Sequence, residues 1–215
     1  MEKKATHSFR QLEIAESARR IISVKGVENL TVRQIAKDLG ITNGALYRHF
    51  KSKNEIISLL IDDIEKTLLD TIDQAAEAPG GHREKLKNIL SSHLSYAERR
   101  KGISFVIINE TLNIKSAGLR KKTFKVVHKY LKRIKQILIE GVRLGEFRQD
   151  LDATSASIVF FGLVQSAVTI WALSGFRYAL KKRKIDESFD IYEKGVSEVK
   201  KRAIKRGGME NGMER

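Results

Sequence analysis

The 215-residue chain has no cysteine and a single proline. The first absence excludes a disulfide framework and any thiolate metal site. The second points to helix, since proline costs ~3 kcal/mol in a helix interior. No alternating strand pattern, internal repeat or low-complexity tract is present. No basic, apolar and small-residue leader opens the sequence, so a cytoplasmic location is expected. The five histidines (His7, His49, His82, His93 and His128) form no metal-spaced pair, and no glycine loop is built to cradle phosphate. A catalytic centre, a metal site and a cofactor are therefore not expected. Acid is scarce as well: the formal net charge is +15. Between Glu110 and Glu140 there is none, against nine Lys/Arg: Lys115, Arg120, Lys121, Lys122, Lys125, Lys129, Lys132, Arg133 and Lys135. That stretch reads as a solvated helix face, as attraction for DNA, or as a rim around an anionic ligand.

What is present is helical periodicity. Ile14, Ala18, Ile21 and Ile22 make a first amphipathic helix stopped by Gly26. Thr31 is placed to cap a second, whose apolar face is Val32, Ile35, Ala36 and Leu39. Gly40 ends it where a left-handed residue is cheap. Thr42 then caps a short helix from Asn43 to Phe50 that turns Leu46, Phe50 and the ring of Tyr47 inward. Its outward side carries Asn43, Gly44, Ala45, Arg48 and His49. Two helices joined this tightly outline a helix-turn-helix, a device for presenting side chains to a DNA groove.

The run Leu30-Thr31-Val32-Arg33-Gln34-Ile35-Ala36, followed by Leu39-Gly40-Ile41 and Gly44-Ala45-Leu46-Tyr47-Arg48-His49-Phe50-Lys51-Ser52-Lys53, resembles the N-terminal domain of TetR-family regulators. The resemblance covers about residues 10–60. It implies that Thr31, Tyr47, His49 and Lys53 touch phosphates, and that Arg33, Asn43, Gly44 and Ala45 meet bases, with Thr42 at the cap. Ala45 departs from the Ser or Thr common there and offers only a methyl group. Arg48 sits at a variable position, within reach of phosphate or base. The partner is then a double-stranded DNA operator, read by a homodimer whose two heads lie about one helical turn, ~34 Å, or a multiple apart.

Beyond the head, apolar residues from Ile56 to Ile72 predict one helix from Ser52 to Ala78 that runs into a larger domain. Pro79-Gly80-Gly81 breaks it. Helices follow over 83–100, 103–112, 117–144, 152–174 and 186–204. An all-α fold of about nine helices is expected, with a helix-turn-helix domain at 8–52, a helical ligand-binding and dimerisation domain at 53–204 and a disordered tail at 205–215. Residues 103–112 are almost wholly apolar and are expected to be buried. On the 117–144 helix the expected inward face is Phe124, Val127, His128, Leu131, Ile134, Leu138 and Val142.

Residues 153–176 hold no charge and are apolar on every side, long enough to span a membrane by the ~20-residue criterion. Interspersed Ser, Thr and Gln favour cover by protein instead. The close-approach residues Gly162, Ser166 and Ala167, with Leu163 and Ile170, make this a dimer helix, joined by Phe189, Tyr192, Val196 and Val199 of the last helix.

The TetR resemblance also implies an effector pocket in the larger domain. Candidate lining residues on the apolar faces are Ile64, Leu68, Leu90, Leu94, Phe105 and Ile108, then Leu112, Phe124, Leu131, Phe161, Val164 and Trp171. Asn109, Glu110, His128 and Gln165 stand out among them as polar groups on apolar faces, which need partners when buried. Such walls suit an apolar or amphiphilic organic effector, and the cationic stretch favours an acyl or carboxylate-bearing one. Repression is the family's default outcome. The alternative is a DNA-binding protein whose larger domain only dimerises or holds a protein partner.

Overall fold

The computed structural model describes residues 9–180 and 184–197, apart from the side chains of residues 184 and 185. Among these residues the chain is all helical, without strands: α1 (Phe9–Lys25), α2 (Val32–Asp38), α3 (Asn43–Tyr47), α4 (Lys53–Glu77), α5 (His82–Arg99), α6 (Ile103–Asn113), α7 (Ala117–Arg143), α8 (Ala153–Leu173) and α9 (Lys184–Val196). Residue 8, Val199, the continuation of the last helix to 204 and the tail at 205–215 lie outside the described residues.

Helices α1–α3 form a small head. Ile14, Ala18, Ile22, Leu30, Ile35, Leu46 and Phe50 make its core. Ser17 Oγ donates to Asp38 at 2.6 Å, and Arg20 pairs with the same carboxylate at 2.6 Å, fastening α1 to the end of α2. The hydrogen bond from Ser17 and the one from Arg20 hold the Asp38 carboxyl below its ordinary pKa.

Helix α4 is shared by head and body. It begins with Ser52 capping the Glu55 N–H, while Glu55 accepts from the Lys51 N–H at 2.8 Å. Ile56, Ile57, Leu60, Ile61 and Ile64 pack in the same core as the head, together with Ile103, Ile107, Leu119 and Val126 of α6 and α7. Farther along, Ile72 and Ala75 enter the body core, with Leu90, Leu94, Tyr130, Ile134, Phe160, Val164 and Trp171. Leu68 packs against both clusters. One rod thus touches both cores, so a tilt at either end is felt at the other.

Part of the cationic stretch on α7 is accounted for here. Lys122 reaches Asp62 at 2.7 Å, Lys129 reaches Glu65 at 2.6 Å and Arg133 reaches Asp73 at 3.2 Å, so three cations lie along the acidic side of α4. Pairs this exposed are worth ~0–1 kcal/mol each, and they guide alignment more than they stabilise.

At the far end, α7 comes very close to the α7–α8 turn. A Cβ on Gly141 would sit 2.3 Å from the Phe147 ring, so only glycine fits. Glu146 in that turn accepts from the His82 backbone N–H at 2.6 Å and lies 2.7 Å from His82 Nδ1, tying down the start of α5.

Three expectations of packing are corrected. The buried face of α7 is Leu119, Thr123, Val126, Tyr130, Ile134, Ile137, Leu138 and Gly141, rotated by about one residue from the expected one. Phe124 is consequently 69% exposed, and His128 lies beside it on the surface. Helix α6 is buried only at Ile103, Ile107 and Thr111. Asn109 faces outward and Leu112 is 74% exposed, because α6 turns only its Ile103, Ile107 and Thr111 side to its neighbours. On α9, Phe189, Tyr192 and Val196 turn into the chain's own core instead of outward. The Tyr192 ring meets Phe160 at a 60° tilt with ring centres 5.6 Å apart, and its hydroxyl donates to the Ala156 carbonyl at 3.1 Å.

Helix α8 packs through Ala156, Phe160, Val164, Val168 and Trp171. Its opposite side leaves Ile158, Val159, Ile170 and Leu173 exposed, the last two at 60% and 83%, with Gly162 and Ser166 between them. Leu163 and Ala167 sit at the edge of this strip, half-buried.

Candidate nucleic-acid interface and effector region

The turn between α2 and α3 is set by local chemistry. Thr31 Oγ1 accepts from the Gln34 N–H at 3.1 Å, and Thr42 Oγ1 from the Ala45 N–H at 3.1 Å. Between them Gly40 takes φ 65°, and the bonds Gly40 N–H to Lys37 O and Ile41 N–H to Ala36 O close a Schellman turn. Ile41, half-buried, packs on the head core.

This geometry puts Thr31, Arg33, Thr42, Asn43, Gly44, Tyr47, Arg48 and His49 in solvent, with Ala45 half-buried. The Tyr47 ring, expected inward, is 53% exposed because Leu46 and Phe50 fill the inner side of α3. Among the described residues, Arg33, Arg48 and His49 engage no carboxylate, so their polar atoms remain free for an outside partner. A Cβ at Gly44 would meet nothing within 4 Å. Lys53 differs: its ammonium donates to the Val27 carbonyl at 2.6 Å and joins α4 to the α1–α2 connection. It retains two further N–H donors beside the head surface.

Inside the body the expected lining residues divide. Ile64, Leu90, Leu94, Val164 and Trp171 are buried, and Leu68, Phe105, Ile108, Glu110, Leu131, Phe161 and Gln165 are partly so. Trp171 spends its indole N–H on the Tyr178 carbonyl at 2.6 Å. Asn109, Leu112, Phe124 and His128 are on the surface and line no interior space. Phe124 and His128 instead stack on each other, 6.0 Å between ring centres.

The interior polar groups are mostly others than those expected. His93 of α5 is 3% exposed, and its Nδ1 lies 3.3 Å from the Tyr130 hydroxyl of α7. Burial pushes the His93 imidazole down to about 4, against the pull of the Leu68 carbonyl, so it is neutral at pH 7. Burial likewise drives the Tyr130 phenol far above its ordinary value. Tyr130 meets Phe161 of α8 edge-on at 5.5 Å. His93 Nε2, Thr123 Oγ1 and Gln165 Oε1 are buried without a hydrogen bond of normal geometry. Only Gln165 was expected. The signal for His93 was its place in the α5 stripe Leu86, Ile89, Leu90, His93, Leu94, Ala97, a lone ring with two nitrogens among aliphatic residues.

A free helix-turn-helix surface on a larger helical body, with unsatisfied polar groups inside that body, defines a DNA-binding regulator with a sensory domain. Two family models cover the chain: "Bacterial regulatory proteins, tetR family" over residues 14–60 and "YsiA-like protein, C-terminal region" over residues 61–193. The chain belongs to the TetR family of bacterial regulators. It is 27% identical over 169 residues to the fatty acid metabolism regulator protein of Bacillus subtilis (strain 168), covering 79% of this chain and 87% of the relative. It is 28% identical over 188 residues to the nucleoid occlusion factor SlmA of Vibrio atlanticus (strain LGP32), covering 86% and 92%. The crystal structure of the transcriptional regulator FadR from Bacillus subtilis in complex with stearoyl-CoA superposes with a TM-score of 0.75 at 27% identity, covering 86% of this chain and 98% of that one. These relatives are a regulator of metabolism and a nucleoid occlusion factor, not enzymes.

Proposed function

We propose that the chain is a cytoplasmic, dimeric repressor. Its heads, residues 8–52, grip a palindromic operator, and its bodies, residues 53–204, release it when they bind an amphiphilic acyl or carboxylate-bearing molecule. The outer side of α8 is the surface a second copy covers: an uncharged strip, with Gly162 and Ser166 allowing close approach, is a dimer seam more readily than a membrane span interrupted by Ser155, Ser166 and Thr169. In the head, Arg33 and Asn43 read base edges. Thr31, Tyr47, Arg48 and His49 hold phosphates, with Lys53 behind them. The empty space over Gly44 lets the backbone approach the groove.

The observation that carries the effector reading is the set of orphaned polar atoms in the body. A buried polar group left unpaired costs ~1–3 kcal/mol, and His93 Nε2 on α5, Thr123 Oγ1 on α7 and Gln165 Oε1 on α8 are each a group that a ligand carbonyl, hydroxyl or carboxylate could satisfy. The relative bound to stearoyl-CoA supports the same class of molecule. Binding there moves α4, which packs against both cores, and so changes head spacing. Typical coupling of 1–3 kcal/mol would weaken operator binding ~5–150-fold.

The test is operator binding with long-chain fatty acid, stearoyl-CoA or a cationic dye added. Loss of affinity with either acyl compound and none with the dye is the expected result; release by the dye alone would refute the acyl reading. The similarity to a nucleoid occlusion factor supports a second reading, in which the body only dimerises or holds a protein partner. That reading predicts no thermal stabilisation by any of the small molecules.

Within the head, Arg33→Ala is expected to lose ~1–3 kcal/mol of specific affinity at one base pair, while non-specific binding and its salt slope stay nearly unchanged. Equal loss on specific and random duplexes, measured by anisotropy, would instead make Arg33 a phosphate contact.

A further inference from the structure

Where α1 meets the end of α5 and the start of α6, an open cleft of about 450 Å³ is lined by Glu16, Arg19, Arg20, Ser23, Arg99, Arg100, Lys101 and Ile103. Five cations and one carboxylate face it. The carboxylates that answer them can be assigned. Glu16 takes Arg19 and Arg100, both at 2.9 Å; Asp63 takes the second arm of Arg19; Asp38 takes Arg20 at 2.6 Å. Three carboxylates therefore balance three arginines. Arg99 and Lys101 pair with no carboxylate among the described residues, which leaves the cleft a surplus of two positive charges.

The backbone is bent to keep Lys101 there. The α5 end closes as a Schellman turn, with Lys101 N–H to Glu98 O and Gly102 N–H to Ala97 O. This puts Lys101 in the left-handed region at φ 48°, directly before Gly102 at φ 68°. A side chain in that conformation costs ~1–2 kcal/mol.

The cleft also lies across the head–body joint. Glu16 of α1 bridges Arg19 of the head and Arg100 of the body. Burial pushes the Glu16 carboxyl up, but the hydrogen bonds and charge of Arg100 and Arg19 outweigh it and hold the group ionised.

We propose that this cleft binds a phosphate or diphosphate group, taken by Arg99, Arg100 and Lys101, and that its occupancy loosens the head by drawing Arg100 away from Glu16. A cleft walled by one sign of charge concentrates a small anion, and guanidinium groups match phosphate oxygens in paired hydrogen bonds. The phosphate could come from a free nucleotide or from the coenzyme part of an acyl thioester whose chain lies in the body. The inference rests on the chain being an operator-binding regulator only for its consequence; the binding is measured without DNA.

The experiment titrates inorganic pyrophosphate, ADP and stearoyl-CoA into the full chain by calorimetry at low salt. It is repeated with Arg99→Gln combined with Lys101→Gly, the second chosen because glycine accepts the left-handed backbone. Saturable pyrophosphate binding by the wild type is expected, weakened at least ~10-fold in the double variant, with an unchanged or raised melting temperature and an affinity that falls with salt. A free nucleotide source is shown if ADP binds with the same dependence on the two residues. A coenzyme source is shown if only stearoyl-CoA loses affinity in the variant while long-chain fatty acid does not. The proposal is overturned if no phosphate compound binds the wild type saturably, or if the double variant binds all of them equally well. It is also overturned if the variant's sole defect is weaker operator binding without ligand, since the cleft would then be a contact for the DNA backbone.

Discussion

Ile158→Asp together with Ile170→Asp is expected to give a folded monomer that no longer holds its operator. Both side chains lie on the outer side of α8, more than half exposed, and neither belongs to the body core. The fold of one chain therefore tolerates the change. In a dimer sealed along α8, each new carboxylate would be enclosed in an apolar seam without a partner. An uncompensated buried charge costs ~3–5 kcal/mol, and a two-fold axis repeats each one, so association would weaken by well over ~10⁴-fold. The consequence for DNA is large because the second head binds at an effective concentration set by its tether to the first. Losing that tether removes ~10²–10⁴-fold in operator affinity. The check is light scattering at ~10 µM followed by operator titration, with Phe124→Asp as control. Phe124 is just as exposed but sits on α7 and not on α8, and its replacement should leave the mass unchanged. A dimeric mass for the α8 double variant would place the interface elsewhere.

The head was legible because its signals are local. Thr31, Gly40 and Thr42 act on backbone groups two to four residues away, so caps and turn can be read in order along the chain. The same holds for the bounds of α4 and α8, where Ser52 and Asp152 cap helices that apolar periodicity had already placed. What could not be read was which of two overlapping apolar stripes α7 would bury. Phe124, His128 and Leu131 make one; Thr123, Val126 and Tyr130 make the other, and both include Ile134 and Leu138. The choice is made by neighbours distant in sequence: Gly141 must face Phe147, and Lys122, Lys129 and Arg133 must reach the acids of α4. Tertiary packing overrode hydrophobicity, and the Phe124 ring was left outside while the Tyr130 ring was buried. The buried polar groups differ with it: His93, Thr123 and Tyr130 lie inside, Asn109 and His128 lie on the surface, and Gln165 Oε1 is buried as well. The basic cleft was invisible for a related reason. Glu16 and Arg100 lie 84 residues apart, and nothing in either local pattern distinguishes them from solvated charges. Even on α9, Phe189, Tyr192 and Val196 were recognisable as an apolar face, but not whether that face met its own chain or a second copy.

His93 makes acid sensitivity a measurable property of the body. Its imidazole would titrate near 6.5 in the unfolded chain and at about 4 in the folded one. Between those values the unfolded state holds the extra proton, so stability falls as pH is lowered. The loss amounts to ~1.4 kcal/mol per unit, or roughly 3 kcal/mol across the window, and this contribution stops once both states are protonated. The carboxylates held below their ordinary values, Glu16, Asp38, Glu140 and Glu146, have the same sign but act lower. Their contributions are present above the unfolded carboxylate range and are lost as pH falls below about 4, beneath most of the His93 window. His93→Phe keeps a ring against Tyr130 and Leu68 and removes the proton site, along with the unpaired Nε2. Urea unfolding at pH 7.5 and pH 5.0 should show the wild type losing about 2 kcal/mol more than the variant between the two conditions. At pH 7.5 the variant should be less stable than the wild type by ~1–3 kcal/mol, since the buried Tyr130 hydroxyl loses the His93 Nδ1 it faces at 3.3 Å. The same variant bears on the effector. If a ligand oxygen bonds to His93 Nε2, His93→Phe should abolish ligand-dependent stabilisation while operator binding without ligand persists. Equal acid sensitivity in both proteins would mean that His93 is protonated in the folded chain, and the body would then offer an acyl carboxylate a cation instead of a neutral ring.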